Sequence, residues 1–457
     1  VDSYDDGYPI ASQGLLGGDT TLGYNYTNEP AGRFMQMATN LSHVNGQAFV
    51  EGRRVHHTNF ETGEHDERFE NGIWNEQVGK VGTHYIHESC SGCHVRNGRA
   101  FVADVGEPLD KWVFKIGDEA GNPHPAAGRV LQPNQIGNVA SEGNVTLAPW
   151  TELTNGLRQP NYVFSGIQPA QFSARIAPNL VGLGLLEAVS EEDIIAWADP
   201  DDSKSSDGIS GKVSLVIDPV TSDTRVGRFG YKAATSSVRH QVAAAFNSDM
   251  GVMTSVLPTP DCGSQQTTCG NQQGSELSDE TLDDLVKYVS LLGVPARRDL
   301  TDLQTLRGED LFGEMNCAAC HRPEMQTSAH HPLTELRNQT IRPYTDLLLH
   351  DMGPGLADNL AEGSASGAEW RTAPLWGLGH TESVMLGDLK GNDQISIVNA
   401  QQREQNMNRI GYLHDGRART IEEAILWHGG EAETSKNAYQ ALSQADKDAV
   451  LAFLKSL

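Results

Sequence analysis

Two five-residue stretches, Cys90-Ser-Gly-Cys-His94 and Cys317-Ala-Ala-Cys-His321, constrain this chain more than any other feature. Cys-x-x-Cys followed directly by His is the attachment signature of a c-type haem, in which two cysteines form thioethers and the histidine gives iron an axial nitrogen. A Cys-x-x-Cys pair by itself also suits half a zinc site or a redox dithiol. Neither context accompanies these copies: no second ligand pair stands at zinc spacing, and no βαβ pattern of thioredoxin type surrounds them. Two covalently bound haems are therefore expected, held by Cys90, Cys93, Cys317 and Cys320, with His94 and His321 as proximal ligands. The remaining cysteines, Cys262 and Cys269, lie in a Gly/Gln/Thr-rich stretch and read as a local disulfide.

A chain of 457 residues exceeds the usual size of one hydrophobic core, so two principal domains are the default. The formal charge of -26 argues against nucleic acid or an anionic membrane surface as partner, because phosphate binding needs clustered Lys and Arg, and it favours a basic partner. No run of eighteen apolar residues occurs, so no membrane span is expected. The start, Val1-Asp-Ser-Tyr-Asp-Asp6, is not a signal peptide. Haem attachment outside the cytoplasm and a disulfide both point to an exported protein, periplasmic or secreted, whose leader is missing.

Residues 1–30 suggest an extended arm, and the stretch from Arg33 to Phe49 carries apolar residues at loose helical spacing. His56 and His57 follow in a charged stretch and read as solvated surface, although either imidazole is long enough to reach iron. His84 and His87 sit too close to the first motif to serve as distal ligands. From Val95 to Arg175 the Gly, Pro and Asn content predicts a loop-dominated cover over the first haem. Ser190 caps a helix through Trp197, and Asp199 to Gly208 reads as an Asp-rich turn, its spacing differing from a calcium-binding EF-hand. Val213–Ile217 reads as a strand, and the stripe Leu282, Leu285, Val286, Val289, Leu292 as a helix capped by Ser278. Pro295-Ala-Arg-Arg-Asp299 is the expected domain boundary.

In the second half a helix around Leu303, Leu306 and Leu311 delivers Cys317, and His330, His331, His350 and Met352 are spare ligands. Arg371 to Gly379 reads as chain packing flat against a haem. A capping box, Thr420-x-x-Glu423, opens a helix whose inner face is Ile421, Ala424 and Ile425. His428 lies seven, four and three residues beyond them, so it projects from the same face and is the expected axial ligand opposite His321. A final helix is capped by Ser443 and buries Val450, Leu451, Leu454 and Leu457.

Several stretches together carry a resemblance: Gly182-Leu-Gly-Leu-Leu-Glu187, Asp207-Gly-Ile-Ser-Gly211, Gly227-Arg-Phe-Gly-Tyr-Lys-Ala233, Leu347-Leu-Leu-His-Asp-Met-Gly353, Trp370-Arg-Thr-Ala-Pro-Leu-Trp-Gly-Leu-Gly379 and Leu413-His-Asp-Gly-Arg-Ala-Arg-Thr420. With the two haem motifs, the chain from about residue 40 onward resembles the di-haem oxidoreductase family of peroxidase-like proteins, also labelled thiol oxidoreductases. It is similar more distantly to bacterial di-haem cytochrome c peroxidases and to the di-haem enzyme that matures the cofactor of methylamine dehydrogenase. The resemblance implies a mainly α fold of two cytochrome c-like haem domains with long loops and a few short strands. Its parts would be an N-terminal arm (1–30), an N-terminal haem domain with large loop insertions (31–298) and a C-terminal haem domain (299–457).

The resemblance also implies site residues. His428 stands where the peroxidases carry a Met ligand, and imidazole in place of thioether lowers the potential of the C-terminal haem. Gln132 and Glu142 share the ten-residue spacing of a Gln and Glu that act above the N-terminal haem in the peroxidases. Relatives also place an aromatic residue between the haems, for which Trp150, Trp197, Trp376 and Tyr231 are candidates, and a Ca2+ ion near the domain interface whose ligands here are unassigned. The expected activity is reduction of hydrogen peroxide at the N-terminal haem, with Glu142 moving a proton and Gln132 orienting the oxidant, and with electrons relayed through the bis-His C-terminal haem from an external donor such as a small cytochrome or copper protein. The alternatives are a di-haem oxidase or oxygenase acting on an organic or protein substrate, and a non-catalytic electron carrier with both irons closed by protein ligands. The thiol label is set aside, since the non-haem cysteines lack a Cys-x-x-Cys spacing.

Overall fold

Two helix crossings, one in each half of the chain, frame the computed structural model, which describes residues 9–27, 29–67, 69–269, 276–392 and 394–457. The start Val1–Asp6 and residues 7 and 8 of the expected arm lie outside the described residues. In the first half, helix His43–His56 packs on helix Asp279–Ser290. Gly52 makes the crossing close: a Cβ there would collide with the Asp284 carbonyl. In the second half, helix Leu303–Glu314 packs on the final helix Gln444–Ser456, where Gly308 meets the Ala449 carbonyl in the same way. Five helices begin at a side-chain cap. The side chains of Ser278, Asp302, Ser190, Thr420 and Ser443 accept the backbone N–H of Thr281, Thr305, Asp193, Glu423 and Asp446.

The mainly α expectation is wrong. Only 32% of the chain is helical and 17% is strand, distributed over many small sheets. Much of the strand lies where a loop-dominated cover was expected. Gly143–Glu152 and Arg158–Gly166 form a long antiparallel hairpin, and Val113–Gly117 pairs with both Val130–Leu131 and Gln171–Arg175. The hairpin is hard to read because its register shifts between Ala148 and Thr151, which breaks the alternation of apolar and polar residues. These strands bury a separate cluster that includes Trp112, Phe114, Ile116, Val145 and Leu147.

The largest hydrophobic cluster runs through both halves, from Phe49, Val55, Leu285 and Tyr288 to Leu311, Phe312, Phe453 and Leu454. The N-terminal segment is stitched to the connection between them: Thr21–Leu22 pairs in parallel with Val294–Pro295. Beside it, Arg297 is buried and forms a two-pronged bond to Glu309. Among the described residues, no helix is long and apolar enough to cross a membrane.

A second stitch is ionic. Burial alone would raise the Glu335 carboxyl, but hydrogen bonds from Ser42 and Asn45 hold it down to about 2. With the folded value below the ordinary one, this contribution is fully present above about pH 4.5 and disappears as pH falls toward 2. E335Q should therefore lose about 1.5–3 kcal/mol at neutral pH, the range for hydrogen bonds to a charged group. Urea unfolding between pH 7 and 2.5 checks this: the gap between wild type and E335Q should close on the acid side, and a gap independent of pH would refute it.

Candidate functional site

Helix His43–His56 turns Phe49, Gly52, Val55 and His56 inward, so His56 completes a buried face at i+7 and i+4 from the first two. The expectation of a solvated His56–His57 pair is overturned: the two side chains are 1% and 0% exposed. His57 bonds Asp66 Oδ1 at 2.8 Å, but neither ring nitrogen of His56 has a hydrogen-bond partner among the described residues. Opposite stands His94, with the two ring centres 6.4 Å apart. His94 follows the short helix Cys90–Cys93, capped by Ser89, and precedes Arg96 and Asn97, both at positive φ. The Arg96 side chain bonds the carbonyls of Val384 and Ile395, tying this loop to the C-terminal half.

The second half repeats the arrangement. His321 and His428 face one another with ring centres 6.4 Å apart. Helix Ile421–Leu426 carries His428 two residues past its end, as the i+3, i+4, i+7 reasoning requires. Two imidazoles bound trans to one metal, with metal–nitrogen bonds of about 2.0 Å, put their ring centres about 6.3 Å apart. Both pairs fit.

The tautomers fit as well. His94 gives Nδ1–H to the Pro178 carbonyl (2.8 Å), His321 to Tyr344 (2.9 Å) and His428 to Ala424 (2.8 Å), which leaves each Nε2 lone pair for a metal. Burial holds His94 and His321 down to about 4 and pushes His56 and His428 below the ordinary value, so all four rings are neutral, the form that ligates. Burial pushes the thiols of Cys90 and Cys317 up to about 12, and raises Cys93 and Cys320 too. Such thiols are poor zinc ligands or redox dithiols, because the thiolate that either role needs is disfavoured.

A cavity of 270 Å³ opens at the second pair, lined by Cys317, Cys320, His321 and His428 and walled on one side by Arg371 to Trp376. Arg99 and Arg371 also reach it, and neither has an ion-pair partner among the described residues. Burial lowers the Arg371 guanidinium to about 10. Two guanidinium groups with carbonyl partners only are what the carboxylates of a haem edge would require. Trp376, fully buried, lines the same cavity and lies against Gly182, in the segment whose Pro178 orients His94. Of the other aromatic candidates, Tyr231 lines the cavity, whereas Trp150 lies under Arg158 and Trp197 under Arg322.

Gln132 and Glu142 are brought together. Glu142 accepts from the Gln132 backbone and from Gln266, both at 2.7 Å, while Gln132 Nε2 donates to the Ser248 carbonyl. Burial raises the Glu142 carboxyl to about 7. No described hydrogen bond or charge interaction joins it to His94 or His56. His84 stands beside it, 3.9 Å away. Cys262 and Cys269 form a disulfide.

His350 is not a spare ligand. Its Nε2 bonds Asp346 (2.8 Å) and its Nδ1 bonds Glu431 (2.7 Å), with Cys320 Sγ nearby. Asp346 and Cys320 stand close enough to it for a metal, but the two ring nitrogens face different carboxylates, so the ring is a clamped imidazolium. Burial would lower it, yet these bonds raise it far above the ordinary value. His331 pairs with Glu187, and the Asp199–Gly208 turn directs Asp199 and Asp202 onto its own backbone N–H groups.

Two Cys-x-x-Cys-His motifs, each beside a matched pair of neutral imidazoles, define the class: a protein suited to holding two haems. A family described as "Di-haem oxidoreductase, putative peroxidase" matches residues 167–388 and 398–457, and the chain belongs to it. No curated protein sequence matches. Among solved structures, hydrazine synthase of Kuenenia stuttgartiensis aligns over 96% of this chain and 98% of that one, at 13% identity and a TM-score of 0.35. That likeness is too weak to carry an argument.

Proposed function

We propose that this di-haem oxidoreductase is an exported electron-transfer protein whose two c-type haems are each closed by paired imidazoles, His56 with His94 and His321 with His428. The observation that carries this reading is the shared ring separation of 6.4 Å, with no described hydrogen bond at the Nε2 atoms of the four rings. Each haem, when bound, supplies a one-electron iron centre. The chain's own residues do the rest. Cys90, Cys93, Cys317 and Cys320 anchor the groups, the carbonyls of Pro178, Tyr344 and Ala424 fix three imidazoles, and the apolar wall of Thr372 to Trp376 excludes water. Arg99 and Arg371 are placed to neutralise carboxylates, and Trp376 spans the gap between the cavity and the segment that holds His94. The net charge of -26 favours a basic redox partner, such as a small cytochrome.

Reduction of hydrogen peroxide at the N-terminal haem is the finer reading that the family description favours. In that reading His56 would have to vacate its place opposite His94, and Glu142, held by the Gln132 backbone and Gln266, would be the residue to move a proton. Absorbance and EPR spectra of the ferric holoprotein test the proposal: two low-spin signals and no high-spin signal are expected. A high-spin signal in the resting protein would overturn the closed reading of the His94 centre.

A further inference from the structure

Where the turn Pro30–Met35, the 295–299 connection and the C-terminal half meet, three basic side chains gather without a described ion pair, and Asp299 supplies the one acidic charge acting on Arg298. Arg33 comes from the turn Pro30–Met35, Arg298 from the connection, and His380 from the turn Leu378–His380. They act on one another: burial, then Arg298, then Arg33 hold the His380 imidazole down to about 2, and burial followed by Arg298 lowers Arg33. No described ion pair neutralises either arginine. Arg298 points one N–H at His380 Nδ1 (3.4 Å) and gives another to the Lys455 carbonyl.

With Nδ1 accepting, the His380 proton sits on Nε2. That atom is buried with no partner, and so are Nε of Arg33 and Nε of Arg298. His380 itself is only 3% exposed. Buried donors are almost always paired, so three orphans on three basic side chains from three segments call for an acceptor. Guanidinium and imidazole N–H groups are the usual grip for an oxyanion. None of the three residues lines the cavity at His321.

We propose that Arg33, Arg298 and His380 bind a small oxyanion of the phosphate or carboxylate type, which clamps the Pro30–Met35 turn to the 295–299 connection and the C-terminal half. Free phosphate from solution and a propionate of a bound haem share this chemistry. The site does not depend on which residues ligate the irons.

Holoprotein dialysed into phosphate-free, sulfate-free buffer and titrated calorimetrically with inorganic phosphate tests it, alongside thermal unfolding and potentiometry. If the anion comes from solution, phosphate binds and the melting temperature rises with its concentration. R33Q and H380A then each lose at least ten-fold in affinity. Arg33 makes no described hydrogen bond to the protein, so R33Q in phosphate-free buffer should be no less stable than wild type. If the anion is a propionate, phosphate does not bind, but R33Q lowers the midpoint potential of one centre by removing a nearby positive charge. R33Q binding phosphate as tightly as wild type would overturn the proposal. So would a wild type that binds none together with unchanged potentials in R33Q, or an R33Q melting temperature lowered equally in both buffers.

Discussion

Replacing His56 with alanine (H56A) should convert the centre on His94 from six- to five-coordinate and make it reactive toward peroxide. The His56 ring is buried, neutral and without a hydrogen-bond partner, so its removal frees a coordination position without stranding a polar group. One low-spin EPR signal should give way to a high-spin one, while the signal from the His321–His428 centre stays. If the resting protein keeps the site closed at about 99:1, full opening raises the peroxide rate by about 10²-fold. Added imidazole should restore the wild-type spectrum. H57A is the control: His57 is engaged by Asp66, and its loss should leave both signals low-spin. An unchanged low-spin spectrum in H56A would show that another residue closes the iron.

The largest expected loss of stability belongs to Lys232→Met. Lys232 is fully buried, and its ammonium donates to Asp358 (2.8 Å) and to the carbonyls of Leu360 and Ser366 (2.9 Å each). It also sits 4.5 Å from the centre of the Trp370 ring, whose other contacts include His414, stacked at 3.9 Å. K232M would leave the Asp358 carboxylate buried and unpaired and two carbonyls without a donor, at a cost of about 3–5 kcal/mol. The double variant K232M/D358N should recover part of this, because an amide does not carry the stranded charge. Urea denaturation measures both. A loss below about 1 kcal/mol in K232M would mean that water reaches Asp358. Trp370 lines the cavity at His321, so haem absorbance should broaden in K232M before the chain unfolds.

The two imidazole pairs were not equally legible. His428 could be placed because the Thr420 cap set the phase of its helix, and three apolar residues marked the inner face. His56 obeys the same rule, at i+7 from Phe49 and i+4 from Gly52, but Glu51, Arg53 and Arg54 crowd the neighbouring positions and make the segment look solvated. Counting the period from Phe49 would have found it. Helix starts were readable because a cap is a local interaction of three or four residues. The strands between Val113 and Arg175 were not, because their pairing joins segments far apart in sequence and the bulge after Ala148 disrupts the two-residue period. Burial of charge was equally hidden: nothing around Lys232 announces that Asp358, 126 positions away, will meet it.

Thr21–Leu22 pairs with Val294–Pro295, so this segment, once synthesised, must wait for a partner made some 270 residues later. At synthesis rates of about 5–20 residues per second, that delay is on the order of ten seconds to a minute. Until then the backbone donors and acceptors of the arm stay open, and the seam between the halves cannot close. The Thr21–Leu22 strand thus finds its place late, which makes its vulnerable period a matter of timing during synthesis rather than of final stability.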